Sequence, residues 1–121
     1  MNTLFRRAGL AMAGLCLLGA AASAATDDFN ASMDAAMMRM HAAMARPGTG
    51  DPDHDFALMM IPHHQGAVEM AEAELRFGHD PVLRRLAQGI IVEQRQEIAV
   101  MRQALDAMPS TPGTPSSHGH H

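Results

Sequence analysis

The sequence of 121 residues contains no tryptophan, no tyrosine and no lysine, and it has a single cysteine. Each absence removes a class of function. Four phenylalanines cannot build the stacking platform that single-stranded nucleic acid needs, and without lysine no broad basic patch forms on a chain of formal charge −4. No arrangement of serine or cysteine with histidine marks a nucleophilic enzyme. Leucine is scarce as well: beyond residue 24 there are 5 leucines against 10 methionines. Leucine is normally among the commonest residues of a globular domain, so a flexible thioether stands where a branched aliphatic side chain usually does.

The first 24 residues read as a secretory leader. Arg6 and Arg7 precede an uncharged, mostly apolar run from Ala8 to Ala21, and Ala22-Ser23-Ala24 is a small-x-small cleavage site. The apolar run is too short to span a bilayer. Leu15 precedes Cys16, where a lipoprotein signal needs a small residue, and the paired arginines leave the general and twin-arginine export routes both open. Cleavage before Ala25 predicts an exported protein, periplasmic or secreted, of 97 residues with no cysteine and no membrane attachment. That portion carries 7 Arg and 13 Asp or Glu, a formal charge of −6. Methionine, histidine and carboxylates are then its only metal-binding side chains.

Turn signals divide the remainder into three helices. Asp27 or Asp28 is expected to cap a first helix that runs to about Ala45 and ends at Pro47-Gly48. Asp51-Pro52 pairs a cap with a first-turn proline and opens a second helix to about Phe77, closed by Gly78. Asp80-Pro81 repeats the device and opens a third, to about Ala107. The short connections predict antiparallel neighbours, hence an all-α antiparallel bundle over residues 25–108. A bundle this small buries a limited core, and pairing of two copies into a larger bundle is compatible with it. Residues 109–121, rich in Pro, Ser, Thr and Gly, are predicted to be a disordered tail, in which His118, His120 and His121 could hold Cu(II) or Zn(II) loosely.

Helical periodicity orders the side chains. Met33, Met37, Met40 and Met44 recur at steps of four, three and four and share one face of the first helix. On the second, Phe56, Met60, His63, Ala67 and Met70 form the expected inward stripe, flanked by Met59 and His64. On the third, the inward stripe is Leu83, Leu86, Ala87, Ile90, Gln94, Ile98, Met101 and Leu105, with Glu97 at its margin. A buried imidazole or amide without a partner costs about 1–3 kcal/mol. His63, Gln94 and Glu97 are therefore expected to satisfy one another, water or a metal. Pro62 predicts a kink just before His63–His64, because it cannot donate to the Leu58 carbonyl.

The run from Asp53 to Ala71 carries Met60-Ile61-Pro62-His63-His64-Gln65. It resembles a bacterial exported family of domains of unknown function with a Met-Ile-Pro-His-His-Gln signature. The likeness extends through Ala87, Ile90, Ile91, Gln94, Glu97, Ile98 and Met101, covering about residues 53–105. That family is grouped with ferritin-like helical bundles, and its CopM-type relatives bind copper and silver in the periplasm. The resemblance thus implies a ferritin-like bundle and places copper ligation on Met60, His63 and His64.

The residues themselves carry the same chemistry. Thioether sulfur beside imidazole is a ligand set for soft ions, copper(I) above all, with silver(I) and copper(II) as further candidates. Side chains three or four apart on a helix have Cβ atoms about 5–6 Å apart, so successive methionines of the first helix could converge on one ion, with His41 at the edge of that face. On the second helix, His63 is spaced to meet Met59 or Met60, and His64 to meet Met60. Met70 and Met101, on the expected inward stripes, complete the candidate set. Adjacent helical residues diverge by about 100°, so His63 and His64 do not readily share one ion.

Composition and resemblance together predict a non-enzymatic copper(I)- or silver-binding protein, serving sequestration, tolerance or delivery to a periplasmic copper-handling partner. The alternative is a partner-binding bundle with an adaptable methionine surface and no metal. A di-iron oxidase would need Glu-x-x-His motifs on paired helices, and none occurs.

Overall fold

A computed structural model describes residues 13–109. Over that range the chain forms three α-helices and no strand: α1 spans Ala13–Met44, α2 Pro52–Phe77 and α3 Pro81–Ala107. Two starts follow the cap-and-proline device. Asp51 accepts hydrogen bonds from the backbone N–H groups of Asp53 and His54 at 3.0 and 3.4 Å, and Asp80 from those of Val82 and Leu83, both at 2.9 Å. None of the described helices is long and apolar enough to cross a membrane. Of the expected tail at residues 109–121, all but Pro109, its three histidines included, lies outside the described residues.

The first helix corrects an expectation. Neither Asp27 nor Asp28 caps it; α1 passes through both without a break. The alanine-rich stretch before them has the highest helix propensity of any residue type. The hydroxyls of Thr26 and Ser32 bond back to the carbonyls of Ala22 and Asp28, at 3.0 and 2.8 Å, rather than offering an alternative start. Residues 13–24 of the expected leader and the stretch that follows are one continuous helix. Helix α2 runs through Pro62 to Phe77, the extent expected of it, and Pro62 is buried.

The turns are tied by side chains. Between α1 and α2, the Asp55 carboxylate accepts from the Thr49 N–H and hydroxyl, both at 2.7 Å, and from the Gly50 N–H at 3.3 Å. The Thr49 N–H, then its hydroxyl, hold this carboxyl below its ordinary value of 3.8. Gly50 takes φ of 92°, a conformation open to glycine without strain. Between α2 and α3, the Arg84 guanidinium donates to the carbonyls of Leu75 and Gly78 at 2.6 and 2.9 Å, satisfying acceptors at the end of α2.

Neighbouring helices are antiparallel, with α2 between α1 and α3. Both outer helices pack on α2, and they make no close backbone approach to each other. The result is a layer of three helices. The core is correspondingly thin. It consists of Ala36, Ala57, Ala71, Ala73 and Ala87 with Val68 and Ile98, and among the described residues no large side chain is fully buried. Phe56, Leu83 and Leu86, expected to face inward, are 61%, 51% and 57% exposed. Their stripes would be covered only if α1 crossed over to α3, and it does not.

Candidate metal centre

The seam between α2 and α3 holds the one buried polar side chain of the described core, His64, which is 9% exposed. Its Nε2 lies 2.6 Å from Oε2 of Glu97 on α3. Its Nδ1 is buried without a hydrogen-bond partner. When Nε2 carries the ring proton and donates to the carboxylate, Nδ1 is left with a bare lone pair. A histidine held by a carboxylate at one nitrogen and free at the other is the arrangement found where imidazole binds a metal. Left empty, an unsatisfied buried nitrogen of this kind costs about 1–3 kcal/mol.

Two thioethers share the seam. Met60 is one turn before His64 on α2, and Met101 is one turn after Glu97 on α3. Because the helices are antiparallel, both steps lead in the same direction. The methionines therefore lie level with each other, about 6 Å along the axis from the His64–Glu97 bridge. Both are half-buried. Helical side chains lean toward the preceding turn, which inclines the His64 ring toward Met60. Among the described residues, no three His, Cys, Asp or Glu side chains converge on one point. A three-donor site here draws at least one ligand from outside that set, and methionine is the available type.

The histidine pair resolves contrary to the expected stripe. His63 is exposed and His64 is the inward ring; their centroids are 5.8 Å apart with planes at 61°. Helix α3 lies toward the His64 side of α2, so the flank of the sequence stripe became its centre. The methionine face of α1 is not gathered into a centre. Met33 and Met44 are half-buried, Met37 is 41% exposed, and His41 is exposed. Met40 is drawn into the α1–α2 seam over Gly66, where a Cβ would meet its Sδ at 2.8 Å and its Cβ at 3.0 Å. Met59 is 49% exposed. Met70 lines a shallow apolar recess with Ala67, Leu83, Leu86 and Ile90.

The opposite face of the layer is polar. There a groove of about 550 Å³ runs between α1 and α3 over Pro62, Gln65 and Gly66, rimmed by Arg39, Arg95 and Arg102. Arg39 pairs with Glu69 and Arg95 with Glu72, each at 2.6 Å. These exposed pairs each contribute about 0–1 kcal/mol and serve mainly to keep this face in water. The register of both pairs escaped the sequence reading. Its only signal was the placement of Glu69 and Glu72 off the apolar stripe.

A three-helix layer with a histidine–carboxylate bridge and thioethers along one seam defines the class of the molecule. The family model described as Domain of unknown function (DUF305) matches residues 7–105, and the chain belongs to that family. No curated protein matches it.

Proposed function

We propose that this protein is a non-enzymatic binder of copper(I), with silver(I) as a chemical equivalent, exported to the periplasm or beyond and used to sequester or pass on the ion. The observation that carries the reading is His64, whose Nδ1 is buried and unpartnered while Nε2 is engaged by Glu97. Met60 and Met101 would supply sulfur beside that nitrogen, a soft donor set suited to a filled-shell monovalent ion. Bound copper would supply only its own affinity for these donors. The chain's part is to hold the ring by Glu97, which orients it and raises its basicity, and to shield the ion between two helices. Likeness to CopM-type proteins in the run around Pro62-His63-His64 supports the same reading. So does the Ala22-Ser23-Ala24 leader end for export.

Anaerobic titration with copper(I) against a competing chelator tests it. His64→Ala, and Met60→Leu with Met101→Leu, are expected to weaken binding at least tenfold with helicity unchanged by circular dichroism. Glu97→Gln, which keeps the shape and loses the charge, is expected to weaken it about 10–100-fold. Wild-type affinity in all of these variants rejects the seam as the site. Loss of binding only when Met33, Met37, Met40 and Met44 are changed to leucine moves the site to α1. The second reading, a metal-free partner-binding bundle, draws on the exposure of Met37, Met38 and Met59 at 41%, 69% and 49%. It is favoured if the wild-type chain takes up neither ion.

A further inference from the structure

The two faces of the helix layer differ in kind. The Arg39–Glu69 and Arg95–Glu72 pairs lie on one. On the other, the stripe of Phe56, Met60, Ala67 and Met70, with the exposed His63 among them, runs beside α3, and the two helices meet in a mostly apolar recess lined by Ala67, Met70, Leu83, Leu86 and Ile90 with Glu74 at its edge. Helix α1 contributes as well. Phe29 against Phe77, with ring centroids 6.3 Å apart, and Met40 over Gly66 set its register on α2 and bring Met37 level with Met70. Met37 diverges from Arg39 by about 200° round α1, so it belongs to the apolar side. Phe56, Leu83 and Leu86, which a sequence pattern marks as core, thus lie along one uncovered surface, while Ala87 and Ile98 of the same pattern are buried.

We infer that this methionine face is the docking surface for a second copy of the chain. Helices of 26 and 27 residues are about 40 Å long, and axes 8–10 Å apart make the three-helix face about 20 Å wide. That is about 800 Å², the share one partner contributes to a stable interface of standard size. A helical layer that is apolar on one side is completed by a second layer, and the same face turned through a two-fold axis supplies it. Neither the segment after α3 nor the described start of α1 fits. Residues 110–121 contain no aliphatic or aromatic side chain other than proline and histidine. The N-terminal part of α1 lies beyond Phe29, which already meets the last residue of α2, and its residues 19–28 are exposed. Methionine suits the role because its unbranched side chain adapts to a facing copy of itself.

The face shares Met60 with the proposed metal site, but docking requires no metal and is tested without it. Sedimentation equilibrium of the full chain at micromolar concentration is expected to give a dimer. Leu86→Glu and Phe56→Asp, at positions already exposed in the single chain, each set an unpaired carboxylate in the interface. Each is expected to raise the dissociation constant by about a hundredfold or more while leaving helicity intact. Val92→Glu is the control. Val92 is 68% exposed and lies about 120° round α3 from Leu86, so the dimer is expected to persist. A monomeric wild type at tens of micromolar, or dimers equally stable in the Leu86→Glu and Phe56→Asp variants, overturns the proposal. Dissociation by Val92→Glu to the same extent overturns it too, because the effect would then be general rather than confined to this face.

Discussion

Against α1, helix α2 presents its smallest residues, Gly66 and Ala73, and lets Met40 settle onto the bare backbone; against α3 it presents an imidazole. One seam is steric. Its closeness comes from what is missing at Gly66, and one end is fastened by the Phe29–Phe77 contact, with Arg76 of the same helix lying 5.7 Å over the Phe77 ring. The other seam is chemical. Alanines line it too, at Ala57, Ala71 and Ala87, but at its middle stand a histidine and a glutamate that a plain core would not carry. The turns repeat the contrast. A carboxylate gathers N–H groups before α2, and a guanidinium gathers carbonyls after it. A helix can therefore be held on one side for packing alone, which leaves its other side free to hold a site.

The strongest way to break the comparison is Gly66→Val. Its new carbons enter space filled by Met40, whose Sδ, Cβ and Cγ stand 2.8, 3.0 and 3.2 Å from an ideal Cβ. Overpacking of this kind costs about 2 kcal/mol, and a fall in the thermal midpoint measures it. Copper(I) affinity, if carried by the other seam, is expected to stay within about threefold of wild type in that variant while it remains folded, because Gly66 and His64 face opposite sides of α2.

A smaller effect separates the turns. Arg84→Ala deletes two part-buried hydrogen bonds to backbone carbonyls at the end of α2, and is expected to lower stability by about 1–2 kcal/mol in urea unfolding, equally at pH 7 and pH 4. Asp55→Asn is expected to behave differently. The folded state holds the Asp55 carboxyl below 3.8, so its contribution to stability is fully present above that pH and is lost as the pH falls through the lower, folded value. The variant should therefore melt below wild type at pH 7, with the gap closing as both are taken below pH 3.8. A gap that persists unchanged in acid would show that shape, not charge, is what Asp55 contributes.

Much of this layout is readable from residues alone. Asp51-Pro52 and Asp80-Pro81 announce the starts of α2 and α3 because a capping carboxylate and a preset φ act within one turn, whatever lies around them. The same local logic fails at Asp27–Asp28. Alanines on the N-terminal side make it cheaper to continue a helix than to begin one. The candidate site shows the same division. His64, Met60 and Met101 are legible as ligand types, but the sequence stripe favours His63, since periodicity finds the average apolar direction of α2 rather than the direction of α3.

Composition determined the chemistry on offer, soft thioether sulfur and imidazole, and local capping determined where α2 and α3 begin. Tertiary structure alone decided that α1 and α3 stay apart. It thereby decided which of two adjacent histidines is buried against a carboxylate, and that Phe56, Leu83 and Leu86 of the stripes marked as core lie open. Periodicity along a helix records that one side is apolar, whereas only the packing of its neighbours determines what that side meets.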